Sequence, residues 1–303
     1  MTDHVTIREV ALRDGLQIET PIPLSAKLRL LDAIAATGVR AVEACAFVSP
    51  SKVPSMADAA ELAAELHRFD DIEFSALVAS PTGANRAVAA GLRGIQYVVS
   101  ASDTFSHANV GRSRAAATAQ IAEIVAIAHA NDVIAEVVIA TAWDCPFEGP
   151  TPPQQVLDIA SVACDYGIDR LSIADTIGTA TPGRVDSLIA ALRPVIGDLP
   201  LGGHFHNTRG AGLASAYAAV SCGVSRLDSS LGGLGGCPFA PGATGNIATE
   251  DLVYLLTDSG FEVDVDLDAA IAAAGVARSA VGHDLPGALL RAGDRRRHRG
   301  PGP

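Results

Sequence analysis

Residues 170–206 read RLSIADTIGTATPGRVDSLIAALRPVIGDLPLGGHFH, and one complete folding unit is legible in them. An aliphatic run over 170–175 reads as a buried strand. Thr181-Pro182 then supplies a helix N-cap followed by proline at the first helical position, and an amphipathic stretch runs over 183–196. A second strand follows over 201–206. The same alternation continues outward in both directions. Strands are predicted over 5–12, 39–46, 72–79, 94–100, 133–141 and 226–231, and helices over 25–37, 57–69, 84–90, 112–131, 154–166, 210–222 and 249–259. Thr37-Gly38 reads as a helix ending on glycine. Eight strand–helix units in about 260 residues match the repeat and size of an α/β (β/α)8 TIM barrel. A doubly wound open sheet alternates in the same way, but eight regular units are many for it. No G-x-G-x-x-G follows the first strand to favour it either. Helical stretches over 267–277 and 286–292 predict additional C-terminal helices, so residues 1–290 read as a single domain. Residues 291–303 read as a basic Gly/Pro tail, expected to be disordered.

Composition narrows the functional classes. Of 303 residues, 49% are apolar, which is enough to offset the ordering entropy and exclude a disordered chain. The formal charge of −12 argues against a nucleic-acid or anionic-membrane partner, since both need basic surfaces. An anionic small ligand remains compatible through a local cluster. Five cysteines, an odd number without a C-x-x-C pair, do not make a disulfide scaffold or a thiolate zinc site. The amino terminus, MTDHVTIREV, enters a strand without a signal core, and no 18-residue uncharged apolar run occurs. A soluble cytoplasmic protein is the expectation.

A barrel of this kind places its active site at the carboxyl ends of its strands. There the sequence puts Arg13-Asp14 after the first strand, Glu43 near the end of the second, Asp175 at the end of the sixth and His204-Phe205-His206 at the end of the seventh. The glycine-rich stretch 231–246, ending in Asn246, follows the eighth. Strand residues i and i+2 share a face, so both imidazoles can enter one site. Two histidines with the Asp14 carboxylate and the Asn246 amide oxygen suit a divalent cation, against the alternative of a satisfied polar pair. Arg13 and Glu43 read either as a buried ion pair or as an oxyanion-stabilising cation with its positioning carboxylate. Asp175 reads either as a site group or as a carboxylate bound to its own loop. Cys237, in a loop without the G-K-[ST] of a nucleotide cradle, reads either as an inert thiol or as a proton donor on a mobile lid.

At these residues the chain resembles the hydroxymethylglutaryl-CoA lyases of the DRE-type metallolyase barrel superfamily. The matching segments are Arg13-Asp14-Gly15-Leu16-Gln17, Val42-Glu43 with Phe47-Val48-Ser49-Pro50, and Cys145-Pro146-Phe147-Glu148-Gly149. They continue with Asp175-Thr176-Ile177-Gly178, His204-Phe205-His206-Asn207-Thr208 and Gly232-Gly233-Leu234-Gly235-Gly236-Cys237-Pro238, then Gly245-Asn246 to Val253. The order is kept over roughly residues 5–290. The resemblance implies cleavage of a 3-hydroxy-acyl-CoA into acetyl-CoA and a keto acid, acetoacetate for the name-giving substrate. It implies Asp14, His204, His206 and Asn246 as ligands of a divalent cation, Mg²⁺ or Mn²⁺, with Zn²⁺ or Co²⁺ as alternatives, and no other cofactor. It implies Arg13 as the group that steadies the enolate, Cys237 as loop acid/base, and Asp175, Glu43 and His204 as further catalytic groups. A homodimer is implied as well.

Two segments depart from the family pattern. Gln17-Ile18-Glu19 stands where Gln-Asn-Glu is common, and Pro50-Ser51-Lys52-Val53-Pro54 where Pro-Lys-Trp-Val-Pro is common. Replacing an amide by apolar Ile18 predicts a different or bulkier acyl group. A Claisen-type synthase joining acetyl-CoA to a 2-oxo acid, and a non-catalytic ligand-binding barrel, are the competing expectations.

Overall fold

Eight parallel strands close into a barrel in the computed structural model, which describes residues 4–236 and 245–295. They are β1 (Thr6–Glu9), β2 (Ala41–Phe47), β3 (Glu73–Val78), β4 (Gly94–Ser100), β5 (Ile134–Ala140), β6 (Arg170–Asp175), β7 (Leu201–Phe205) and β8 (Arg226–Ser229). The ring runs β1-β8-β7-β6-β5-β4-β3-β2 and returns to β1. Each strand feeds a helical segment that packs outside: α1 (Leu24–Ala35), α2 (Ala59–Ala63), α3 (Pro81–Ala89), α4 (Asp103–Val110), α5 (Arg114–Ala119) and α6 (Ile121–His129). They continue with α7 (Pro153–Asp165), α8 (Pro182–Ile196), α9 (Gly212–Ser221) and α10 (Thr249–Asp258). The predicted C-terminal helices are α11 (Leu267–Val281), which lies against α1, and α12 (Ala288–Ala292). The (β/α)8 expectation is met, and among the described residues no helix is long and apolar enough to cross a membrane.

The two faces of the strands are chemically opposite. Ile95, Tyr97 and Val99 on β4 and Leu171 and Ile173 on β6 belong to the buried apolar layer between strands and helices. The alternate residues point inward and are polar: Arg8, Gln96, Glu136, Ser172, His204 and Asp228 are all buried. A bond from Arg8 Nη1 to Glu136 Oε2 (2.6 Å) proves the direction, because β1 and β5 lie opposite each other in the ring and can meet only through its interior. Around them Arg226 contacts Glu136 (3.2 Å) and Glu73 (3.6 Å), and Arg170 is bidentate to Glu73 (2.5 and 2.9 Å). Every one of these interior charges thus has a partner of opposite sign, which is the condition for burying it.

Several boundaries differ from the sequence-based expectation. The first strand stops at Glu9 instead of residue 12, and Ala11–Gly15 forms one π-helical turn closed by Gly15 N to Val10 O (3.1 Å) and Leu16 N to Ala11 O (2.9 Å). The run Val10-Ala11-Leu12 is apolar because the turn is buried, and that mimics a continuing strand. The helix expected over 57–69 is a short α2 followed by a 3₁₀ turn, Leu66–Arg68. Two short strands, Asp144–Cys145 and Gly149–Pro150, pair antiparallel after β5. Residues 291–295, expected in a tail, stay on the body: Asp294 is buried and Arg295 pairs with Asp258 (2.6 Å). The remainder of that tail, residues 296–303, lies outside the described residues.

Candidate active site

Lateral register builds the site. Arg8 on β1 pairs with Asp228 on β8, and Asp228 pairs with His204 on β7, so three inward side chains stand side by side at one level. Arg8 donates from Nε to Asp228 Oδ1 (2.8 Å) and from Nη2 to Oδ2 (2.9 Å). Asp228 Oδ2 also lies 3.1 Å from His204 Nδ1. Because that carboxylate only accepts, Nδ1 carries the hydrogen and the neutral ring leaves its Nε2 lone pair facing the barrel mouth. Burial would raise the Asp228 carboxyl, but Arg8 and His204 outweigh it and hold it well below the usual carboxylate range. This is the carboxylate–histidine arrangement that orients metal-ligating imidazoles.

His206 follows two residues on, just past the strand, in a bridge with Asn246. Its Nε2 lies 3.1 Å from His204 Nε2 and 3.7 Å from Asp14 Oδ2, while Asp14 Oδ2 is 3.9 Å from His204 Nε2. One ligand atom from each of Asp14, His204 and His206 thus falls within 4.8 Å of the others, a group able to hold a metal ion. Asn246 completes the wall. Its Nδ2 donates to Asp14 Oδ2 (2.8 Å) and to Leu234 O (3.2 Å), while its buried Oδ1 has no hydrogen-bond partner. A cation ligand is what such an orphaned oxygen lacks. Burial alone would lower the His204 pKa, yet Asp228 and Asp14 raise it, so the surroundings favour positive charge at this point. For Asp14, burial is outweighed by Arg13 and the two histidines, and the carboxyl stays far below its ordinary range.

Arg13 stands beside this group on the π-helical turn. Its Nη1 donates to Asp14 Oδ1 (2.5 Å) and its Nε to Glu43 Oε2 (2.5 Å), with Gln17 Oε1 3.4 Å from Nη1. Glu43 lies in the middle of β2, fully buried, at a register shift between Glu43 and Cys45. It is therefore not near the strand end where it was expected. Burial raises the Glu43 carboxyl, and the neighbouring Arg13 and Arg8 work against that rise. Gln96, with its amide turned to fit, donates to Glu43 and accepts from Arg8, linking the Arg13–Glu43 pair to the ladder below. The ion-pair reading of Arg13 and Glu43 is thus realised, and the guanidinium is held at the rim of the candidate metal group.

Asp175 sits at the end of β6, as expected, with its carboxylate bound to its own loop: Thr179 N to Oδ1 and Ala180 N to Oδ2, both 2.9 Å. Burial is the main cause that raises its pKa, while His206 is among the groups that lower it. Cys237 lies outside the described residues. Gly235 precedes it with φ +126°, where a Cβ would come within 2.7 Å of Asn246 Nδ2, so only glycine fits. Sequence reasoning missed Asp228, Arg8, Gln96 and Glu136. Their signal was present as charged or amide residues at alternate positions of otherwise aliphatic strands.

Fold and site together define a parallel barrel with a candidate metal centre at its carboxyl rim. The family model described as HMGL-like matches residues 4–276. The chain is 38% identical to a hydroxymethylglutaryl-CoA lyase of Pseudomonas mevalonii, over 91% of this chain and 92% of that protein. It is also 38% identical to an (R)-citramalyl-CoA lyase of Chloroflexus aurantiacus, over 96% and 95% respectively. An HMG-CoA lyase from Acinetobacter baumannii, solved with coenzyme A and 3-methylmalate, superposes with a TM-score of 0.94 at 38% identity, covering 99% of this chain and 98% of that one. The chain belongs to the HMGL-like family, and it is a carbon–carbon lyase.

Proposed function

We propose that the protein cleaves a 3-hydroxy-acyl-CoA by a divalent-cation-dependent retro-Claisen reaction, releasing acetyl-CoA and a keto acid. 3-Hydroxy-3-methylglutaryl-CoA, giving acetoacetate, is the first substrate of this reading. The observation that carries it is the convergence of Asp14 Oδ2, His204 Nε2 and His206 Nε2 beside a guanidinium anchored on Asp14 and Glu43. Asp14, His204, His206 and Asn246 would hold the cation. When bound, a divalent ion supplies positive charge that favours loss of a hydroxyl proton from the substrate.

The chain's own residues account for the rest. The C2–C3 bond breaks, its electron pair moves onto the acetyl thioester as an enolate, and C3 becomes the keto carbon. Arg13, kept cationic by Glu43 and Asp14, faces that developing negative charge. Asp175, a site group by the family resemblance, is assigned the hydroxyl proton; burial raises its carboxyl while Thr179 N and Ala180 N hold its two oxygens in place. Cys237 is assigned the proton that quenches the carbanion on C2. A second acyl group is supported by two observations: the equal identity to an (R)-citramalyl-CoA lyase, and Ile18, exposed just beyond the π-helical turn where an amide is common. A homodimer follows from the family resemblance and is read by light scattering.

The test is direct. EDTA-treated protein is incubated with 3-hydroxy-3-methylglutaryl-CoA and citramalyl-CoA, with and without Mg²⁺ or Mn²⁺, and products are identified by mass. Cation-dependent acetyl-CoA release, nearly abolished by Cys237→Ala or Arg13→Met, is expected. Full turnover in the stripped protein or in both variants refutes the proposal.

A further inference from the structure

Glu9, at the end of β1 and almost fully buried, touches none of the candidate ligands, yet one carboxylate gathers three separate segments. Its Oε1 accepts from Ala11 N (2.8 Å) and from Leu231 N (3.1 Å), and its Oε2 accepts from Thr249 Oγ1 (2.6 Å). Ala11 opens the π-helical turn that carries Arg13 and Asp14. Leu231 opens the glycine-rich stretch whose Leu234 O receives the Asn246 amide. Thr249 opens α10, three residues after Asn246, and its hydroxyl also meets Ser229 Oγ at 2.8 Å.

We propose that Glu9 is a positioning residue that sets Asp14 and Asn246 at their mutual distance, acting through the backbones of the segments that carry them and touching no substrate. His204 needs no such help, because β7 and Asp228 hold it, and His206 follows it directly past the strand end. Asp14 stands on the π-helical turn, outside the sheet, and Asn246 is held to the barrel by a single isolated bridge to His206. Backbone bonds flank the same junction: Ser230 N to Ile247 O and Thr249 N to Ser230 O, both 3.1 Å. These join the two arms around residues 237–244 to each other. Glu9 also joins them to the turn that bears Asp14, through backbone groups, beside the direct bond from Asn246 Nδ2 to Asp14 Oδ2 (2.8 Å).

The position requires bonds more than charge. Burial pushes the Glu9 carboxyl up to about 7, so near neutral pH the acid form is already accessible. A protonated Oε2 can donate to Thr249 Oγ1 while that hydroxyl donates to Ser229, and Oε1 keeps both backbone donors. Glutamine can make the same three bonds, with its amide nitrogen in place of Oε2. Leucine can make none.

The proposal deepens the reading of a lyase with a cation site, so its test separates the two. Hydrogen–deuterium exchange on the cation-free, substrate-free protein compares wild type with Glu9→Leu, Glu9→Gln and Thr249→Val, and Mn²⁺ affinity is measured calorimetrically on the same samples. Glu9→Leu is expected to speed exchange together in residues 10–16, 230–236 and 245–250, and to weaken Mn²⁺ binding about tenfold or more. Glu9→Gln is expected to restore both. If Glu9→Leu fails to fold, Thr249→Val detaches the α10 arm alone and should speed exchange over 245–250 with weaker Mn²⁺ binding, and Thr249→Ser should reverse it. Faster exchange confined to residues adjoining position 9, or Glu9→Gln as impaired as Glu9→Leu, overturns the proposal. Failure of the wild type to bind Mn²⁺ refutes the cation-site reading, and the exchange data still decide the role of Glu9.

Discussion

Replacing Asp228 by asparagine should weaken divalent-cation binding even though Asp228 is not itself a candidate ligand. Its two oxygens serve three donors: Oδ1 takes Arg8 Nε, and Oδ2 takes Arg8 Nη2 and His204 Nδ1. An amide offers one oxygen. With that oxygen at the Oδ2 position, the NH₂ group faces Arg8 Nε–H, donor against donor, and a charge-assisted bond worth about 1.5–3 kcal/mol is lost. With the amide turned round, the NH₂ faces His204. The ring must then move its proton to Nε2, which removes the lone pair aimed at Asp14 and His206. Either orientation loses an Arg8 bond and so costs stability, and the second, whose NH₂ faces Arg8 Nη2 as well as His204 Nδ1, costs the site too. Outer carboxylates that orient metal-binding histidines carry about 10–100-fold in affinity. That range corresponds to about 1.4–2.8 kcal/mol at 1.4 kcal/mol per decade. Calorimetric titration of Mn²⁺ into Asp228→Asn, with urea unfolding on the same preparation, reads both effects. A folded variant that binds Mn²⁺ within twofold of wild type, with unchanged unfolding free energy, would refute the reasoning about the His204 tautomer.

Three further outcomes follow from the geometry. Arg13→Met leaves Glu43 buried without its guanidinium and should cost about 3–5 kcal/mol of unfolding free energy, while Arg13→Met combined with Glu43→Gln should recover part of the stability and none of the turnover. Burial pushes the Glu250 carboxyl from 4.5 up to about 8; the folded state then holds a proton that the unfolded state releases, so this contribution is full below about 4.5 and lost as pH rises toward 8. Urea unfolding should show wild type losing stability over that window and Glu250→Gln, which mimics the neutral acid, losing less; equal slopes would contradict it. Gly235→Ala forces a left-handed φ on a residue whose Cβ meets Asn246 Nδ2, and should cost about 1–3 kcal/mol of stability together with a measurable loss of Mn²⁺ affinity.

The repeating units were legible because each carries its own punctuation. Thr181-Pro182 placed the start of α8 within a residue, and His204-Phe205-His206 announced a strand end through its spacing alone. What stayed hidden depended on pairing between distant strands. Glu43 was placed near the end of its strand, whereas β2 runs on to Phe47 and leaves it inside the strand, bonded to Arg13. Nothing local in Arg226-Leu227-Asp228 says that Asp228 stands level with His204 and Arg8; closure of the ring does that. The π-helical turn at Ala11–Gly15 escaped for a different reason, since an apolar run bounded by glycine has the same composition whether it extends or winds.

The polar interior of the barrel bears on how such a chain can change over time. Arg8, Arg170 and Arg226 stand against Glu73, Glu136 and Asp228, so the set is electrically neutral and each member touches at least one opposite charge. Loss of Arg8 leaves the buried Asp228 without a cation, whereas Glu73 and Arg170 at the margin keep some contact with solvent. Exchange at Arg8 or Asp228 therefore needs a compensating exchange at its partner. Exposed Ile18 on the rim carries no such constraint, whereas the most buried part of the interior admits change only by coordinated double exchange.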